Sequence, residues 1–276
     1  MEILGFYWIN ILAGMILVFA LGMIGRHLVA RNQSMEVMLL GQEFQISLLM
    51  AALFIGLFET GDHDHHSFHL ETFVSLIFVL LYHFSYLFFL KKYRNFKIEG
   101  AIVFIILLMG FSHLVVLMSP VVEFHMVKSF LGDIVTVSQN ESITVALFSF
   151  FSIIILKKID KNTELDTIEI ALFNKTTKKR AHSVFFSILV LLLMLFSIHL
   201  FGSLFTIGAM IIPAFISGIF KINHQQFNIL TILNSLSVVV AFFFLLFADR
   251  LPTTVVIIFL IFMTSLIGSM FLKRLS

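Results

Sequence analysis

The stretch SVFFSILVLLLMLFSIHLFGSLFTIGAMIIPAFISGIF, from Ser183 to Phe220, contains no Asp, Glu, Lys or Arg. A helix that crosses a membrane needs about 20 mostly apolar residues. The run is therefore long enough for two tight spans. It also suits one span followed by a broken, partly re-entrant helix, with Gly202, Gly208 and Pro213 as break points. Irregular backbone at that depth is tolerated only where protein covers it or where it faces a cavity.

The same character extends in both directions. Apolar residues make up 59% of the 276 positions, charged residues 12%, and Phe alone fills 35. A soluble domain is about 45–50% apolar and about a quarter charged, so this chain lacks the charge to cover a wet surface. Apolar segments lie at 6–25, 44–59, 72–90, 100–119, 142–156, 183–200, 203–220, 227–247 and 252–272. They predict an all-α integral membrane protein, a polytopic bundle of about eight or nine transmembrane helices in one domain over residues 1–276. The first segment has neither a basic flank nor a small-residue cleavage site and reads as a span, not a removed signal peptide. With no cysteine, disulfides and thiolate metal sites are excluded. A formal charge of +2 gives no footing for nucleic acid. No Gly-rich loop ends in Lys-Ser or Lys-Thr, so the chain is no ATPase of the Walker type and reads as no enzyme.

Lys and Arg set the orientation. With the N-terminus outside and nine alternating spans, 16 of the 18 basic residues fall on the cytoplasmic side, and only Lys128 and Arg250 fall outside. The connection from about 157 to 182 is then cytoplasmic, and Leu165, Ile168 and Leu172 would form the apolar stripe of a short amphipathic helix in it. The external face would carry nine acids (Glu2, Glu59, Asp62, Asp64, Glu71, Glu123, Asp133, Glu141 and Asp249) against two bases. A negative mouth concentrates cations.

Two constellations suit cation chemistry. The first is Gly61-Asp62-His63-Asp64-His65-His66-Ser67-Phe68-His69-Leu70-Glu71, with four of the eleven histidines. Imidazole and carboxylate bind Zn, Ni and Cu, and less well Mn, so Asp62, His63, Asp64, His65, His66 and His69 form a candidate metal-capturing loop, set against the plainer reading of a polar turn. The second opens the second span. Met38, Gln42 and Gln45 follow at i, i+4 and i+7 and share one helical face, a candidate lining of a translocation path. Glu36 and Glu43 read as an interfacial helix start. His83, His113, His199 and Asn234 stand isolated deeper in spans, at spacings that bring no pair together.

The order of several short motifs resembles the permeases of zinc/manganese-type ABC importers. Leu200-Phe201-Gly202-Ser203 through Ala209-Met210-Ile211-Ile212-Pro213-Ala214 resembles the family's "VG-x-LLV-x-ALL-x-IPAA", and Phe130-Leu131-Gly132-Asp133-Ile134-Val135-Thr136-Val137-Ser138 its "LFGD-x-LAVS". Glu99 to Phe104 is similar to "E-x-AIG-x-x-F", Asp249 to Val255 to "D-x-P-x-GPTIV", and Arg26 to Arg31 to the end of its first span. The resemblance spans nearly the whole chain. It implies a homodimer in a bacterial cytoplasmic membrane, docked on cytoplasmic ABC ATPase subunits that bind ATP and fed by an extracytoplasmic metal-binding protein. Zinc or manganese would be the cargo, and the 157–182 connection would hold the helix that couples to the ATPase. The chain departs from the pattern where the family's second span begins "GDALSH". Val37 stands at its Gly, Met38 at its Asp and Gln42 at its His. The coupling segment also differs, with Thr163 to Phe173 in place of acids followed by "A-x-x-LG". Two other readings stay open: a secondary metal-cation transporter that needs no ATPase, for which intramembrane acids are expected, and a divergent paralogue that does not transport.

Overall fold

The computed structural model describes residues 2–58, 68–92, 97–118, 126, 129–132, 137–173, 181–245 and 252–274. Among them are nine long helices: α1 (Glu2–Ala30), α2 (Ser34–Phe58), α3 (Phe68–Lys92), α4 (Lys97–Met118), α5 (Gln139–Phe173), α6 (Ala181–Phe201), α7 (Ser203–Phe220), α8 (His224–Leu245) and α9 (Thr253–Arg274). Each contains a stretch long and apolar enough to cross a membrane. Nine such helices make this a multi-pass membrane protein. Helices are the natural solution there, because a helix satisfies its backbone polar groups internally where no water can.

The run from Ser183 to Phe220 resolves as two helices with a single break. Gly202 sits between α6 and α7 at φ 83° and ψ 160°, a conformation essentially reserved for glycine. The chain turns sharply there. Ser197 and Thr206 share a hydroxyl hydrogen bond of 2.6 Å, whereas nine positions along a straight helix would hold them about 13 Å apart. Gly208 and Pro213, expected as possible break points, lie inside the continuous α7. A second expectation also changes. The cytoplasmic amphipathic helix is not a separate element in a loop but the end of α5, which runs unbroken for 35 residues.

α1 is the hub and packs against α5, α7 and α8, while α2 packs against α3 and α4 and reaches α6 and α7. The main apolar core runs through α1, α2 and α5 to α9 with Val79 of α3, and a smaller one, with Leu39, Ile46, Tyr86, Ala101 and Leu108, joins α2, α3 and α4. Lipid is as apolar as these side chains, so close packing and polar contacts must hold the helices together. At Gly25 α1 lies so near α7 that a Cβ would strike the Met210 carbonyl. Asn10 near the start of α1 donates to the Val137 carbonyl at 2.9 Å and accepts from the Ser142 hydroxyl at 3.0 Å.

At the other end of α1 the basic helix ends gather. Asp160 of α5 accepts from the Arg26 guanidinium at 2.8 Å, and it lies 3.0 Å from His27 Nε2 and 3.6 Å from His224 Nε2. Gln226 at the start of α8 donates to the Leu272 carbonyl near the end of α9. These contacts place the ends that carry Arg26, Lys157, Lys221 and Lys273 on one side of the bundle, as the charge pattern requires.

Candidate functional site: a mid-depth cavity and the elements around it

Gln42 and Gln45 on α2 face Met109, Ser112 and His113 on α4, and with Met126 they line a half-open cavity of about 300 Å³, at whose mouth Met109 and His113 are exposed. Phe130 and Leu131 complete its wall. Gln45 and Met109 lie about 17 and 18 Å along their helices from the basic ends. In a hydrocarbon layer about 30 Å thick this is near mid-depth. Gln45 is 3% exposed, and its side-chain oxygen has no hydrogen-bond partner. Ser112 donates to the Leu108 carbonyl of its own helix at 2.8 Å, so it leaves that oxygen unanswered. Larger hollows, such as one of about 530 Å³ along α4, are walled by apolar residues such as Phe104, Leu107 and Leu114 and offer nothing to recognise a cation.

Met38, expected on the same path, is 43% exposed and is not part of the cavity wall. Its place one helical turn before Gln42 leaves it nearer the basic end of α2. The external loop residues Asp62, His63, Asp64, His65 and His66 lie outside the described residues, as does Asp133. His69 falls in the first turn of α3. Of the isolated polar residues, His113 reaches the cavity, and Asn234 accepts from Thr264 at 2.6 Å and Ser265 at 3.2 Å between α8 and α9.

Glu43 corrects the sequence reading. In place of an interfacial carboxylate it is fully buried, 3.1 Å from His83 Nδ1 on α3. Its second oxygen and the hydroxyl of buried Tyr86 have no hydrogen-bond partner. An intramembrane ionisable pair of this kind is a mark of function. The sequence hid it because the partners are 40 positions apart.

The two signature glycines meet. Gly132, at φ 60°, and Gly202 pack backbone to backbone. A Cβ on Gly132 would strike the Phe201 carbonyl, and one on Gly202 would strike the backbone at Phe130 to Gly132. The segment that walls the cavity is thus locked to the α6–α7 break. Pro213 lies buried in α7.

At the basic end the last turns of α5 present two faces. Asp160, Thr163 and Thr167 turn inward. Arg31 donates to the Thr167 hydroxyl at 3.0 Å and stacks over the Phe186 ring at 4.9 Å. Leu165 and Ile168 point outward, each 51% exposed, and the backbone of Leu172 continues their row one turn on.

The chain is similar in fold to PsaBC from Streptococcus pneumoniae, solved in complex with Fab. The TM-score is 0.71, over 97% of this chain and 91% of that one, at 11% identity. Identity so low shows the fold alone. No protein-family model matches the chain, and no curated protein matches it.

Proposed function

We propose that the chain is the transmembrane permease subunit of an ATP-driven importer for metal cations, acting as a homodimer in a bacterial cytoplasmic membrane. The observation that carries this is the Gly132–Gly202 contact. Two motifs that resemble the zinc/manganese-type permeases, 70 positions apart, fold onto one another beside a mid-depth cavity whose wall includes Gln42, Gln45 and His113. The likeness in fold to PsaBC supports the same reading. In it, metal leaves an extracytoplasmic binding protein at the acidic, His-bearing face formed by Asp62 to His69. It passes the wall made by Gln42 and Gln45 and is released as a cytoplasmic ATPase binds and hydrolyses ATP. Zinc or manganese is the cargo the resemblance implies. The row of Leu165, Ile168 and Leu172 is the contact for the ATPase: the outward apolar side chains of Leu165 and Ile168, beyond the apolar span, need a partner to cover them.

The test is to replace Leu165, Ile168 and Leu172 by Asp. The variant should insert normally, because the inward face of α5 keeps Asp160 and Thr167 and their contacts to Arg26 and Arg31, but should no longer co-purify the ATPase. Undiminished co-purification would remove the end of α5 from that role.

A second reading, a cation transporter that needs no ATPase, is supported by the buried Glu43–His83 pair, since a coupling site of that kind requires an intramembrane acid. Reconstituted vesicles separate the two. Uptake that requires internal ATP and the ATPase supports the first, and uptake driven by a proton gradient alone supports the second.

A further inference from the structure

The cavity between α2 and α4 differs from a hard-cation site in what its wall contains. Among the described residues its wall has two thioethers, Met109 and Met126, one imidazole, His113, and two neutral amides, Gln42 and Gln45, and no carboxylate. Stripping an ion of water costs free energy that grows with the square of its charge, so a divalent ion pays about four times the penalty of a monovalent one and needs anionic ligands to offset it. Among the described residues none lines this cavity. Thioether and imidazole are soft to borderline donors, and thioether selects Cu(I) over Zn, Mn and the alkaline earths. Methionine also serves as a filler of irregular gaps. Packing alone, however, does not account for Gln45, whose buried oxygen lacks a donor. An unanswered buried acceptor is destabilising, and a cation in the cavity would answer it.

We propose that this cavity is a binding site for a soft monovalent metal ion, Cu(I) by its chemistry, held by Met109, Met126 and His113 with the Gln45 carbonyl dipole turned toward the charge. The inference rests on reading the cavity as part of the cation path, and it replaces the zinc or manganese that the resemblance implies with a soft monovalent cargo. It also gives the departure at Met38 a consistent sense: the hard carboxylate of the related pattern is absent where a soft ion is carried.

The experiment uses the full chain, purified in detergent, with His63, His65, His66 and His69 replaced by Ala so that the external loop adds no copper binding. Cu(I) is titrated anaerobically against a chromophoric Cu(I) chelator, with Ag(I) as a redox-inert substitute and Zn(II) and Mn(II) in parallel. The expected result is a single Cu(I) site, with Met109→Leu/Met126→Leu weakening it by about tenfold or more and Gln45→Glu shifting preference toward Zn(II). Leu for Met conserves volume. Should that double variant still fail to fold, copper-edge X-ray absorption of the unsubstituted cavity reads sulfur ligation directly. Absence of copper–sulfur scattering, equal Cu(I) affinity in the double variant, or tighter binding of Zn(II) or Mn(II) than of Cu(I) would overturn the proposal. Co-purification of the ATPase is scored on the same preparations. Its loss would count against the importer reading, and its persistence with no Cu(I) bound would count against the soft-metal site alone.

Discussion

At the scale of single residues the informative group is Glu43. A carboxylate with no exposed surface, beside one imidazole 3.1 Å away, depends on that partner. Removing one member of a buried pair strands the other and costs about 3–5 kcal/mol, whereas replacing both with apolar groups is often neutral. His83→Leu is therefore expected to lower the melting temperature in detergent well below that of the Glu43→Leu/His83→Leu double variant. Equal melting of the two would mean that the pair contributes nothing to stability. This part of the site was not legible in the sequence. In the sequence Glu43 stands just before the apolar run that begins at Phe44, and only the crossing with α3 covers it. Gln42 and Gln45 were legible, because polar side chains one turn apart inside an apolar helix share a face whatever the neighbours are. Met109 and Met126 were not, because methionine in an apolar run carries no sign of whether it packs or ligates.

At the scale of elements, two devices set the frame around the cavity. One is the break at Gly202. Alanine there would be forced into a backbone region that costs non-glycine residues about 1–3 kcal/mol, and its Cβ would also collide with the backbone of the 130–132 segment. Gly218 in α7 has nothing within 4 Å of an added Cβ, and alanine favours a helix over glycine by about 1 kcal/mol. Gly202→Ala should then reduce the yield of monodisperse protein and its melting temperature, while Gly218→Ala leaves both unchanged or slightly raised. The same response from both would refute the lock. The other device is the clamp on α5, where Arg26, His27 and Arg31 hold Asp160 and Thr167. The charges from Lys157 to Asp166 suggested a loop with a short helix. In three dimensions part of that polar character is the buried face of a helix that never ends there, so local charge misled where the tertiary partner on α1 decides.

At the scale of the whole molecule, the membrane bundle was the most legible feature, because lipid rewards length and apolarity segment by segment. The pairing of helices was less so: in a uniformly apolar chain every face looks alike, and the approaches at Gly25 and Gly202 set the neighbours. The two kinds of information converge on one arrangement. An odd number of spans puts the chain ends on opposite sides. The Asp160 cluster ties the ends of α1 and α5 to the start of α8, and the Glu43–His83 contact, nine positions from the start of α2 and nine from the end of α3, brings Lys91 and Lys92 to that same side. Reporter fusions after Lys92 and Lys178 should accordingly report cytoplasm, and a fusion between Asp62 and His69 should report the exterior. A cytoplasmic signal from the histidine loop would invert every sided statement at once. It would turn the acidic face inward, expose the row of Leu165 and Ile168 to the outside, and leave no route by which an ATPase could drive the path.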